Sequence, residues 1–523
     1  NEQDMFFLQG WVHVEDRLFQ ADVNRRQPSG TLAELLGPGA LGSDVELRTL
    51  GLRRSAELSW AAIKADAAGG DPVARGAKEA LEAYAEGFNA HLDELGAALP
   101  PEYGALKLTS VEPWTPVDSI VIGKLIAFGL SFDLDDIQNT MTLGAFQAEL
   151  GPQAGYLLFA EDLYRSQPFD PASTVPDSGG DGGIRPPEGN GPQANRPAAV
   201  PAVNAQAVSM GKSYLARARN VPLLKTILEN DRASRGSNNW GVTRGASSTG
   251  NPIIANDPHL ALNHPTTFYP MQLSSPHYDA VGNGFAGTPF VITGQNRFIA
   301  WGPTTNPMDV TDIFLDVVVP DAASPSGLSV QLPGGELGPI VPVPELYFAN
   351  VEGNLVPIQD PSIPPFTLTV PARYNGVIIN FDGDFQNGGT ALTAQFTGFG
   401  PTRELESFYL WNTARNLSDF RRGLEKFDFG SQNWAYADKW GNLGYFTSAE
   451  MPIRTDLQVL GAPAGGVPPY FIRQGSLDLH QWLPVSNPYP GQVTPYEILS
   501  PEEMPQVVNP ANGYFVNANN DPA

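Results

Sequence analysis

A glycine followed by a serine heads a strand-like segment at the chemical centre of this sequence: Gly236-Ser237-Asn238-Asn239-Trp240-Gly241-Val242. A serine hydroxyl is a poor nucleophile until a base takes its proton. If the Gly236–Ser237 bond is cut, Ser237 becomes a chain terminus and carries its own base, because a free α-amino group has an ordinary pKa of about 8. Direct transfer within one residue is strained, so a water relay is expected, and no Ser-His-Asp triad is needed. Acyl transfer also needs donors for a tetrahedral oxyanion. The loop Pro303-Thr304-Thr305-Asn306 can offer a backbone N–H, and Asn517-Ala518-Asn519-Asn520 a side-chain amide.

These residues need rigid support. After Ser237 the pattern is strand-like. Trp240–Val242 and Ile253–Ala255 flank a turn-rich connection and predict a hairpin. A second hairpin is expected from Pro289–Thr293 and Arg297–Trp301 across Gly294-Gln295-Asn296, and residues 315–400 read as an elaborated β region. Residues 433–446 return to strands after a helix over Glu404–Lys426. The first 165 residues are mainly helical, with Leu81, Tyr84, Ala85, Phe88 and Leu92 at helical spacing within Lys78–Leu95. Leu8–Arg26 is a second helix, carrying Glu15-Asp16-Arg17, which reads as a structural ion-pair site. Ser119–Leu130 reads as a short apolar run after the turn signal Pro113-Trp114-Thr115-Pro116, and the sequence also predicts helices after Asp136 to Leu150 and over Tyr214–Asn230. Trp114, Trp301 and Trp434 read as core.

From about Gln167 to Ala207, Gly, Pro, Asn and Ala dominate, a composition unfit for a packed core. An interdomain linker and a removable spacer both suit it. The division read from this is 1–166 as a helical region, 167–236 as linker or spacer, and 237–523 as a β-rich region.

Composition narrows the function. The chain has 523 residues, 41% of them hydrophobic and 10% aromatic, as expected for a folded protein. A net charge of −25 argues against nucleic acid or an anionic membrane as partner, and permits cation binding. There is no cysteine, which excludes disulfides and thiolate chemistry. No stretch reads as a membrane-inserted helix. No signal peptide is visible, and both ends read as cut within a longer sequence, so an export signal would lie outside it.

Gly236-Ser237-Asn238-Asn239-Trp240 together with Ala255-Asn256-Asp257-Pro258-His259-Leu260 resembles the penicillin acylase family of N-terminal nucleophile hydrolases. So do Gly10-Trp11-Val12-His13-Val14-Glu15-Asp16-Arg17-Leu18-Phe19-Gln20, Leu32-Ala33-Glu34-Leu35-Leu36-Gly37, Trp301-Gly302 with Asp309 and Asp312, and Asn509-Pro510 with Asn517–Asn520. The resemblance implies an α+β fold, an αββα sandwich, and a precursor that cuts itself before Ser237 into α and β chains. It implies Ser237 as nucleophile, His259 near the terminal amine, the Thr305 N–H facing the oxyanion and Asn519 as its side-chain donor. It also implies a structural calcium held by Asp136, Asp309, the Thr311 carbonyl and Asp312. The expected activity is hydrolysis of a small-molecule N-acyl amide through a serine acyl-enzyme, in a periplasmic or secreted setting. A β-lactam side chain or an acyl-homoserine lactone would be the substrate. The acyl pocket is expected around Leu130–Asp135, Leu260 and Phe285–Phe290. A different class also fits the composition: a non-catalytic, secreted, acidic binding protein with a flexible linker at 167–207.

Overall fold

Helices form where apolar residues recur at helical spacing, and their ends follow capping chemistry. The computed structural model describes residues 1–163, 174, 200–201, 203–229, 236–260, 263–306, 308–458, 465–489 and 491–519. Glu2–Ser29 begins at an Asn1 capping box, and Pro72–Leu95 at Asp71, whose carboxylate accepts from the Val73 and Ala74 N–H groups. These two helices pack against each other closely. A Cβ on Gly10 would lie 2.1 Å from the Tyr84 carbonyl oxygen, and one on Gly87 would lie 1.8 Å from the Phe7 carbonyl oxygen. Only glycine permits that approach. Pro116–Ser131 and Asp135–Leu150 follow.

Two antiparallel sheets carry the nucleophile region. The smaller has the strand order Ile253–Pro258, Ser237–Val242, Tyr514–Asn517. The larger has seven strands, with Gln432–Asp438 and Ile299–Thr305 at its centre. Ala435, Ala437, Leu443, Tyr445 and Phe515, with Ile254, fill the space between them. Alternation along a strand sends neighbours to opposite faces, so Trp434 points away from the small sheet and meets Trp411 of the helix Glu404–Thr413 at 4.3 Å between ring centroids. On the helical side Phe6 packs edge-on against Tyr278 and Phe290. The result is a helical layer, the seven-stranded sheet and the three-stranded sheet: an α+β fold with a helical N-terminal part and antiparallel β-rich C-terminal part. Among the described residues nothing covers the outer face of the small sheet, where Trp240, Ile253, Tyr514 and Val516 are exposed.

A third sheet, of eight strands, is built around Thr311–Pro320 and Gly388–Phe396. The helix Ala205–Ala218 lies on it, with Asn380 Nδ2 donating to the Met210 carbonyl at 2.8 Å. Thr311–Pro320 continues from the Ile299–Thr305 strand, so this sheet is tied to the nucleophile region through residues 306–310.

Several expectations shift by a few residues for identifiable reasons. The helix expected over Tyr214–Asn230 is two, Ala205–Ala218 and Pro222–Leu228, because Pro222 has no N–H to continue the first and starts the second. The helix expected over Glu404–Lys426 divides into Glu404–Thr413 and Leu417–Leu424, the second capped by the Asn416 side chain on the Asp419 N–H. Gly294-Gln295-Asn296 is not the hairpin turn. It belongs to the strand Thr293–Asn296, and the turn falls at Arg297–Phe298, where Asn296 Oδ1 accepts from the Phe298 and Ile299 N–H groups. Arg17 forms no ion pair with Asp16; Tyr269 comes between them, giving its hydroxyl to Asp16 and its ring face to Arg17. Trp114, Trp301 and Trp434 are buried as expected. The helical region runs to Leu163. Most of the expected spacer lies outside the described residues.

Candidate active site

The strand Ser237–Val242 alternates buried and exposed residues, and its register sends Ser237, Asn239 and Gly241 inward to the seven-stranded sheet. Its first residue pairs with Pro258 on the neighbouring strand. Proline has no N–H to donate there, so the next residue supplies it. The His259 N–H donates to the Gly236 carbonyl oxygen at 3.0 Å and also lies 3.3 Å from Ser237 Oγ. One backbone donor therefore touches both the bond before Ser237 and the hydroxyl after it.

The His259 ring does something else. It is 47% exposed and meets Asp257 Oδ2 through Nε2 at 3.0 Å. Of the two parts of His259, the backbone reaches the serine and the ring reaches the strand edge.

Asn519 comes from the far end of the sequence. It lies just beyond the strand Tyr514–Asn517, with a φ of 60°, a left-handed conformation that asparagine tolerates better than most residues. Its Oδ1 accepts the Ser237 N–H, and its Nδ2 donates to the Thr305 carbonyl at 2.6 Å. Ser237, the His259 backbone, Thr305 and Asn519 are thus brought to one place by four separate segments.

Behind them lies a set of amides that sequence reasoning left out. Asn433 is fully buried. Its Nδ2 donates to the Thr305 carbonyl at 3.0 Å, and its Oδ1 accepts from the Tyr445 hydroxyl at 2.7 Å. Asn517 Oδ1 accepts from Thr304 Oγ1 at 2.8 Å and from the Asn519 N–H at 3.1 Å. Asn517 Nδ2 donates to the hydroxyl of Thr174, a buried residue of the expected spacer. The missed signal is compositional. Asparagine is depleted in strands, yet Asn239, Asn433 and Asn517 all occupy buried strand positions.

The four expected calcium ligands lie where the helical region meets the eight-stranded sheet. Asp136, at the start of Asp135–Leu150, accepts from the Ile313 N–H at 2.7 Å. Asp309 and Asp312 share Arg454, whose guanidinium is 3.0 Å from Asp309 Oδ1 and 2.8 Å from Asp312 Oδ2. Trp482 Nε1 also donates to Asp312. Burial, with Asp309 and Asp312 nearby, pushes the Asp136 carboxyl well above its usual range. Burial pushes Asp309 up to about 6, against the pull of Arg454. Asp312 Oδ1 and Thr311 Oγ1 are buried without a partner. An oxygen-rich, over-charged set with an orphaned carboxylate oxygen suits a hard cation in donor chemistry. Among the described residues, no three His, Asp or Glu side chains are gathered to hold a metal ion, and Arg454 occupies one side of this set.

The sequence matches the family described as penicillin amidase over residues 1–523. The chain belongs to the penicillin amidase family. Penicillin acylase 2 proenzyme of Pseudomonas sp. (strain SE83) is 28% identical over 528 residues, covering 99% of this chain and 56% of that protein. Acyl-homoserine lactone acylase QuiP of Pseudomonas aeruginosa is 30% identical over 317 residues, covering 60% of this chain and 32% of that protein. Penicillin G acylase of Escherichia coli is 24% identical over 549 residues, with 99% and 57% covered. The solved thermostable penicillin G acylase from Alcaligenes faecalis, in its orthorhombic form, has 26% identity and a TM-score of 0.42, covering 55% of this chain and 44% of that one. The chain spans about half the length, or less, of the curated relatives it matches. No helix among the described residues is long and apolar enough to cross a membrane.

Proposed function

We propose that this chain is an N-acyl amide amidohydrolase that first cuts itself at Gly236–Ser237. The observation that carries the reading is the His259 N–H, aimed at both the Gly236 carbonyl oxygen and Ser237 Oγ in a chain of this family. Ser237 Oγ attacks the Gly236 carbonyl carbon. The oxygen that gains charge already faces a donor, which is the requirement for stabilising a tetrahedral oxyanion. Collapse breaks the C–N bond, the proton given up by Oγ passes to the Ser237 nitrogen, and an ester joins Gly236 to Ser237. Water hydrolyses the ester, leaving a Gly236 carboxylate and a free Ser237 amine. That amine then serves as base for the hydroxyl, through a water, in each later turnover. The substrate amide is attacked, the amine product leaves, and a second water releases the acid. Thr305 and Asn519 are assigned to the substrate oxyanion. Asn519 Nδ2 gives one of its two hydrogens to the Thr305 carbonyl, leaving the other for the oxyanion. Loss of residues 167–236 would free Asn517 from Thr174.

The substrate class is a small N-acyl amide, either a β-lactam with an acyl side chain or an acyl-homoserine lactone. The relatives named for both activities support keeping both. Hydrolysis assays with phenylacetyl, glutaryl and long acyl-homoserine lactone substrates separate them. A calcium ion at Asp136, Asp309, the Thr311 carbonyl and Asp312 belongs to the same proposal, supported by the orphaned Asp312 Oδ1 and by two carboxylates that share one guanidinium. It would act structurally, joining the two chains. A periplasmic or secreted location accompanies this reading. The binding-protein alternative predicts one stable chain, so denaturing electrophoresis of wild type and Ser237→Ala decides: two fragments from wild type and one from the variant support the enzyme.

A further inference from the structure

Resting on the amidohydrolase reading, we propose that Asn433 is the positioning residue of this site, holding Thr305 and, through it, the Asn519 carboxamide. Three observations lead there. Asn433 is fully buried in an inner strand of the seven-stranded sheet, next to Ile299–Thr305, and reaches four other strands from that position. Its Nδ2 donates to the Thr305 carbonyl at 3.0 Å and lies 3.4 Å from Asn517 Oδ1; its Oδ1 accepts from Tyr445 at 2.7 Å; its carbonyl accepts from Asn239 Nδ2 at 3.5 Å. The Thr305 carbonyl is also the group that Asn519 Nδ2 binds. Asn433 and Asn519 therefore share one acceptor, while Thr304 is fixed to Asn517 on the other side.

The physical consequence is directional. A carbonyl has two lone pairs. With Asn433 on one of them, Asn519 is confined to the other, and its amide plane is set before any substrate arrives. Preorganisation of this kind lowers the barrier without tightening substrate binding. Tyr445 fixes which end of the Asn433 amide faces Thr305, because its hydroxyl donates to the oxygen end.

The test uses the full chain, with self-cleavage followed on denaturing gels and hydrolysis of phenylacetyl-p-nitroanilide as the probe. Asn433→Asp keeps the shape and puts a carboxylate oxygen against the Thr305 carbonyl. Its kcat is expected to fall about a hundredfold with KM nearly unchanged, the size of effect seen when a reacting geometry is displaced by an ångström. Its activity relative to wild type should recover as pH falls, since a protonated carboxyl regains a donor for Thr305. Tyr445→Phe is the milder variant, keeping the ring in place, and should show a smaller loss in the same parameter. Circular dichroism melting monitors folding of each. Variants that cleave and turn over like wild type, or that only melt earlier or raise KM, overturn the role of Asn433 alone. A wild-type chain that neither cleaves nor hydrolyses the probe overturns the parent reading and this one together.

Discussion

At the scale of single residues, the two halves of His259 make separate predictions. The backbone N–H contacts Gly236 and Ser237, whereas the ring is half exposed against Asp257. His259→Ala should therefore self-cleave within about fivefold of the wild-type rate, while His259→Pro, which lacks the N–H, should remain one chain on a denaturing gel. Equal cleavage by both would remove the N–H from the mechanism. Asn519 carries a different expectation. Removing one oxyanion donor costs about 10²–10³ in kcat, so Asn519→Ala should lose that much in steady-state hydrolysis if processing is completed first. A loss confined to KM would contradict the assignment.

At the scale of elements, the helix Asp135–Leu150 meets the strand Thr311–Pro320 where the Asp136 carboxylate accepts from the Ile313 N–H, and beside that join stands Arg454. Its side chain is buried against Asp309 and Asp312. Removing one partner of a buried pair strands the remaining charge, at a cost of about 3–5 kcal/mol. Arg454→Met should lower the urea midpoint accordingly, and Asp312→Asn added to it should recover part of the loss. This join also shows how far the sequence reaches. Asp136, Asp309 and Asp312 were legible from the family pattern, but Arg454 was not, because nothing local marks an arginine that pairs 142 residues away. The same holds in the site. The alternation of Ser237–Val242 and the hairpin to Ile253–Pro258 follow from strand periodicity. The His259 N–H could not be read as the donor until the register set Pro258 opposite Ser237. The misplaced turn at Gly294-Gln295-Asn296 has a local cause: Asn296 makes an Asx turn one step later, and composition alone favoured the glycine.

At the scale of the whole molecule, a cation would join the helical and β-rich regions. The sign of its pH dependence follows from Asp309. Its folded value of about 6 lies above its ordinary 3.8, so the native state keeps this proton longer. Without a cation, the contribution of Asp309 to stability is present at low pH and is lost as pH rises from about 4 to about 6. Calcium requires the ionised form and competes with that proton. Added calcium should therefore raise the melting temperature more at about pH 8 than at about pH 5, and a chelator should reverse the gain. No calcium-dependent shift at either pH would overturn the cation site and leave Arg454, with Arg473 nearby, to balance the cluster.

The central claim is that Ser237 becomes a chain terminus and then the nucleophile. Mass spectrometry and N-terminal determination of catalytically active protein test it most directly. A fragment that begins at Ser237, absent from the Ser237→Ala variant, is the predicted result. An intact Gly236–Ser237 bond in fully active material would contradict it.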